Sequence, residues 1–189
     1  GKGHKKFEVQ NGKDITIEED LARRDITINS IAKNVLTGKI IDSYGGIKDI
    51  QNKIIRATTD SFIEDPLRVY RVARFASQLN FAVEENTIKM MRKIKEELKE
   101  LSPERVFTEF RKALKSDKPS VFFKVLKKAN VLDVHFKEIY DLIGKTQPVE
   151  YHPEGDSYNH TMIVVDKSAI LTDNVEIRFS ALVHDLGKG

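Results

Sequence analysis

Two rhythms divide the chain. Up to about residue 60, apolar positions come in short β-branched runs broken by turn residues. Residues 7–10 and 15–17 flank Asn11-Gly12, a hairpin turn signal. Residues 36–42 and 54–57 carry further strand-like runs, with Gly45-Gly46 between them. Glu18, Glu19 and Asp20 suit the first turn of a helix. From Asp65 the apolar spacing becomes helical and stays so. Asp65-Pro66 reads as a helix start: a capping carboxylate, then Pro at the first helical position. This helix is predicted to run to Leu79, with Asn80 closing it. Its apolar arc holds Val69, Val72, Ala73, Phe75, Ala76 and Leu79; Arg68, Arg71 and Arg74 lie beside the arc. Further helices are predicted over residues 84–98 and 102–115, from Lys118-Pro119-Ser120 onward, and over roughly 158–171 and 175–186. Residues 144–156, with two Pro and two Gly, read as a linker or a functional loop.

Composition narrows the class. The 189 residues are 40% hydrophobic and 32% charged, a globular balance. A chain of this length buries about 70% of its unfolded surface, enough for a real core. The absence of Cys excludes a disulfide scaffold, a zinc ribbon and thiol catalysis. No apolar run approaches the roughly 18 residues of a membrane span and no signal-peptide pattern is present, so no membrane partner is expected and the expected compartment is the cytoplasm. The net charge of +3 is unevenly spread. Residues 1–88 carry +1, residues 89–128 carry +7 and residues 129–189 carry −5. The basic middle suggests either a polyanion contact or a solvated Lys-rich helix face.

Three groups of residues can carry chemistry. The first is Arg23-Arg24-Asp25-Ile26-Thr27-Ile28-Asn29. Guanidinium groups donate in a planar fork that suits phosphate oxygens, and a neighbouring carboxylate can accept from a ribose hydroxyl. A surface salt-bridge cluster has the same composition. The second is Glu64-Asp65-Pro66-Leu67-Arg68 with Arg71 and Arg74. A carboxylate and a guanidinium one helical turn apart match the acceptors and donors of a base edge, and the further Arg residues suit a triphosphate. An N-cap with an ordinary ion pair is the plainer alternative. The third is His160 with His184-Asp185. These are either ligands of a divalent metal that activates water for phosphoester hydrolysis, or a buried His with a bonded Asp. His152 precedes them in the loop as a substrate-facing candidate.

In this order the groups resemble the motifs of bacterial tRNA nucleotidyltransferases, the class II CCA-adding enzymes of the poly(A) polymerase family. Residues 23–29 resemble RRDFTxNA, with Ile26 in place of Phe and Ser30 in place of Ala. Residues 42–50 are similar to the DPxxGxxDL hinge, with Ser43 in place of Pro. Residues 64–74 are similar to EDxLRxxRxxR, Ser102-Pro103-Glu104-Arg105 resembles the SPER segment, and His160 with His184-Asp185 resembles the start of an HD phosphohydrolase domain.

The resemblance implies a mainly α fold with a small N-terminal α+β remnant. Residues 1–60 would be the end of a nucleotidyltransferase head, 61–143 a helical neck and body, and 144–189 the start of an HD-type helical domain. It implies addition of CCA to tRNA 3′ ends from CTP and ATP, together with a possible HD-domain phosphohydrolase activity on 2′,3′-cyclic phosphates. Arg24, Asp25 and Asn29 would contact the nucleotide, Asp65 and Arg68 would select its base, and Arg71 and Arg74 would bind its triphosphate. Lys93, Lys112 and Lys127 would face tRNA, and His160, His184 and Asp185 would hold a divalent metal. The family's Gly-Gly phosphate loop and the Asp-x-Asp pair that holds Mg²⁺ are expected upstream, so the chain is expected to be a fragment without transferase activity of its own. The alternatives are a bacterial poly(A) polymerase, a metal-dependent phosphohydrolase with the neck as its binding module, and a non-catalytic helical RNA-binding module.

Overall fold

The computed structural model describes residues 15–145 and 156–188, with the side chain of Lys188 left aside. The Asn11-Gly12 turn, its first strand, His152 and most of the Pro-containing loop lie outside these residues. The fold is mainly helical with four two-residue strands among the described residues.

Helix α1 (Ile17–Ala22) begins where a strand was expected. Thr16 and Glu19 form a reciprocal capping box, and three acidic residues occupy the first turn. A one-turn 3-10 segment, Thr27–Asn29, follows. Strands β1 (Ala32–Lys33) and β2 (Ile40–Ile41) pair antiparallel, Ala32 opposite Ile41. The expected run at 36–42 is therefore mostly turn. Asn34 accepts the amides of Leu36 and Thr37, and Gly38 takes φ 71°.

Gly45-Gly46 opens a helix that the sequence reading did not anticipate, α2 (Gly46–Gln51). Asp42 caps it, accepting from the amides of Gly46 and Ile47 at 2.6 and 3.0 Å. Gly45 needs its left-handed φ of 75°. A Cβ on Gly46 would stand 2.3 Å from the Thr27 carbonyl oxygen, so only Gly lets α2 lie against the 3-10 turn. Strand β3 (Ile54–Ile55) pairs parallel with β4 (Ala82–Val83), and Ile26 bridges Ala57.

Helix α3 (Arg68–Leu79) is central and packs on α5 (Pro103–Leu114) and α6 (Ser120–Lys128). It starts three residues after Asp65, whose Oδ1 instead accepts the amide of Leu67 in the preceding turn. Asn80 ends it in the left-handed region, φ 52°. Val69, Val72, Ala73 and Ala76 are buried as the arc requires, together with Tyr70, whereas Leu79 is exposed. Helix α4 (Glu85–Lys93) stops short of the expected 98, and a 3-10 turn, Glu97–Glu100, takes its place. Two one-turn helices, α7 (Leu132–His135) and α8 (Lys137–Tyr140), lead to α9 (Ser157–Leu171) and α10 (Val175–Val183).

A single apolar cluster runs from Ile26 to Leu182 and so crosses all three expected segments. Phe110, Phe122, Phe123 and Phe136 meet in edge-on contacts at its centre. The last two helices are tied in by polar caps. Asp166 on α9 accepts the amide and hydroxyl of Ser120 at the start of α6. Arg178 on α10 is buried and donates to the carbonyls of Leu114, Ser116, Ala169 and Thr172.

Candidate nucleotide cleft and metal centre

Between the 3-10 turn and the start of α3 lies an open cleft of about 680 Å³. Its lining holds five guanidinium groups (Arg23, Arg24, Arg68, Arg71, Arg105) against two carboxylates, Asp25 and Asp65. That excess of positive charge suits a polyanion.

Its floor is built around Asp25, which is buried. Oδ1 of Asp25 accepts from the Ile26 amide and from Asn29 Nδ2, both at 3.0 Å. Oδ2 accepts from Arg71 Nε at 2.8 Å and faces Arg71 Nη2 at 2.7 Å. This paired carboxylate orients Arg71, a third of whose side chain remains exposed to the cleft. Arg24 is half exposed and held by Asp20 at 3.2 Å.

Asp65 and Arg68 line the same cleft without pairing to each other. Arg68 donates to the backbone carbonyls of Ser61 and Arg23. These two bonds lock the guanidinium plane and use no carboxylate, so its charge is left for a ligand. Asp65 lies 3.8 Å from Arg105 of α5. An oriented acceptor and an oriented donor one turn apart can address a base edge, and Arg24 and Arg71 are placed to meet phosphate oxygens.

Arg74 corrects the expectation. It does not line the cleft: it is buried, its Nε donates to Glu109 of α5 and its Nη1 donates to Gln78. Its guanidinium lies over the Phe75 ring, 3.8 Å from the centroid, and Phe75 itself lines the cleft. A helical wheel places Arg74 beside Arg71 but does not show that α5 covers it. Conversely, Phe75 and Arg105 line the cleft and were not singled out for it, while Arg23, part of the first candidate group, lines it beside Arg24. Arg105 stood in the SPER segment, where a cation in the first turn of a helix was the available signal.

The expected metal ligands do come together. His160 on α9 and His184-Asp185 at the end of α10 present ligand atoms that all lie within 4.8 Å of one another. Asp185 Oδ2 stands 3.9 Å from His160 Nε2 and 3.5 Å from His184 Nε2. His184 Nδ1 lies 2.8 Å from the Ala181 carbonyl, which can only accept; the proton is therefore on Nδ1, and Nε2 is left to ligate. Two imidazoles and one carboxylate suit a first-row divalent ion.

The three lysines lie on different helices. Lys93 is exposed near the end of α4, Lys112 is paired with Glu109 at 3.2 Å, and Lys127 lies 4.1 Å from the centre of the Tyr158 ring.

Residues 2–56 match the poly A polymerase head domain. Residues 80–142 match the probable RNA and SrmB-binding site of polymerase A. Over its whole length the chain is 48% identical to a multifunctional CCA protein of Shewanella frigidimarina and 46% identical to one of Vibrio campbellii.

The chain is homologous to the multifunctional CCA proteins.

It spans about half the length of these relatives, 46% and 48% respectively. Solved structures align with most of the chain. A tRNA nucleotidyltransferase complexed with a primer tRNA and an incoming ATP analog superposes on 93% of the chain and 52% of its own, with a TM-score of 0.69 at 29% identity. A tRNA-processing enzyme with CTP gives 0.67 at 30% identity over 91% of the chain and 48% of its own.

Proposed function

We propose that the parent protein adds CCA to tRNA 3′ ends from CTP and ATP, and that this chain contributes the part that chooses the nucleotide. The observation that carries the reading is the cleft: Arg24, Asp25, Asn29, Asp65, Arg68 and Arg71 converge there from two separate stretches of sequence. Asp65 and Arg68 read the base, Arg24 and Arg71 hold phosphates, and Asp25 with Asn29 lies toward the ribose. Arg74 belongs to the scaffold behind them. Residues 1–60, 61–143 and 144–189 are read as the end of the head, the neck and body, and the start of an HD domain. Lys93, Lys112 and Lys127 on the basic helices are read as tRNA-facing.

Enzymes of this class work with a divalent metal. Mg²⁺ is the expected ion for transfer; when bound it would neutralise triphosphate charge and activate the attacking hydroxyl. No carboxylate pair in the cleft is placed to hold it, because Asp25 is committed to Arg71. The cytoplasm is the expected compartment; among the described residues no helix is long and apolar enough to cross a membrane.

The test is the complete protein with CTP as the only nucleotide and a tRNA lacking its CCA end. Addition of two C residues supports the reading. An enzyme that ignores CTP and extends with ATP alone would be a poly(A) polymerase.

A second reading rests on a separate observation, the His160–His184–Asp185 triad. With a divalent ion bound, the triad would supply a metal-activated water for hydrolysis of a phosphoester such as a 2′,3′-cyclic phosphate. Its check is cleavage that needs added metal and disappears in His184→Ala while nucleotide addition persists. Cleavage that survives the substitution overturns it.

A further inference from the structure

We infer that Arg105 is a specificity-determining positioning residue, holding Asp65 in the orientation in which it reads the base. The inference rests on the proposal that the cleft selects a nucleotide.

Three observations carry it. First, Arg105 is the cleft-lining residue that comes from α5, while the rest of the lining comes from residues 23–29 and from residues 65–75 of α3 and the turn before it. Its Nη2 lies 3.8 Å from Asp65 Oδ1, close enough to orient the carboxylate and too far to occupy it as a hydrogen bond. Second, Arg68, the nearer cation in sequence, donates to the carbonyls of Ser61 and Arg23 and not to the Asp65 carboxylate. Arg105 is thus the cation that sets the direction of Asp65. Third, its place is held from behind. One turn along α5, buried Glu109 takes Arg74 of α3, so the two helices are registered by an ion pair adjoining the Arg105–Asp65 contact. A cation in the first turn of α5 opposes the helix dipole. Its presence there is explained by the cleft and not by the helix.

A carboxylate with one oxygen drawn to the Leu67 amide and Arg105 presents the other to the ligand. Without Arg105 the Leu67 amide alone orients the carboxylate, its angular range widens, and the distinction between an amino donor on cytosine and one on adenine weakens.

The experiment compares Arg105→Ala, Arg105→Gln, Arg105→Lys and Asp65→Ala in the complete protein. It measures kcat/KM for CTP and for ATP on tRNA lacking CCA and on tRNA ending in CC. The expected result is a loss of roughly tenfold in the ratio of correct to incorrect nucleotide for Arg105→Ala and Arg105→Gln. Arg105→Lys should retain part of the ratio, because the charge remains. A purely structural defect would slow both nucleotides equally and leave the ratio intact. If Asp65→Ala loses discrimination and both neutral Arg105 variants keep it, the inference is overturned. If Asp65→Ala also keeps it, the cleft does not select nucleotides, and the proposed function fails first.

Discussion

Arg71 and Arg74 stand one turn apart on α3 and have different work. Arg71 faces the cleft on a buried carboxylate, Asp25, while Arg74 is enclosed by α5 and taken by Glu109. Desolvating both charges of such a pair costs nearly what their attraction returns, so its removal as a unit is tolerated better than its breakage. Arg74→Met alone and Glu109→Leu alone are each expected to lower unfolding free energy by about 3 kcal/mol, because each leaves a buried charge without its nearest, equally buried counter-ion. The double variant should lose less than the sum of the two, with urea unfolding as the measurement; additive losses would show that the charges do not act as a pair. The same contrast shows what was legible. Arg24, Asp25, Asn29, Asp65, Arg68 and Arg71 sit in short contiguous motifs, and the backbone brings those motifs together. The burial of Arg74 and the reach of Arg105 depend on α5 docking against α3, which residue spacing along one helix cannot convey.

At the scale of elements, two side chains bind helices that sequence spacing treats as separate. Arg178 caps the carbonyl ends of α5 and α9 from its place on α10. Arg178→Ala leaves several of those carbonyls buried without donors, and is expected to cost about 3 kcal/mol, or roughly 6–12 °C in melting temperature. A shift under about 2 °C would mean that water replaces the guanidinium. The second is His135 at the end of α7, whose Nδ1 meets the hydroxyl of buried Tyr70 at 2.6 Å. Burial lowers its pKa below the usual histidine value, while a hydrogen bond with the Leu101 backbone pulls the other way. The unfolded chain therefore binds this proton more readily than the folded one. Stability from His135 is present above its unfolded pKa of about 6.5 and is lost as pH falls toward the lowered folded value. Unfolding midpoints between pH 7.5 and 5.5 should fall less steeply in His135→Gln than in the parent; equal slopes would contradict this. The starts of α5 and α10 were legible because Pro103 suits a first helical position and Asn174 caps its helix with its own side chain. Helix α2 was not, because its signal is a clash-free Gly46 against Thr27, a contact from outside the helix.

For the whole molecule, the uneven charge now has an anatomy. The +7 stretch holds the end of α4 with α5 and α6, the −5 stretch contains the histidine triad, and the nearly neutral first part supplies the floor of the cleft. The three share one core, so cleft, basic helices and triad are held by a common frame. Within that frame Asp65 and Arg68 are the residues proposed to choose the nucleotide. The most direct measurement is kcat/KM for CTP and ATP addition by the complete protein carrying Asp65→Ala or Arg68→Ala, alongside its tRNA affinity. The expected result is that discrimination falls by roughly tenfold or more while tRNA affinity holds. Discrimination that persists, or tRNA affinity that falls in step with it, would contradict the account.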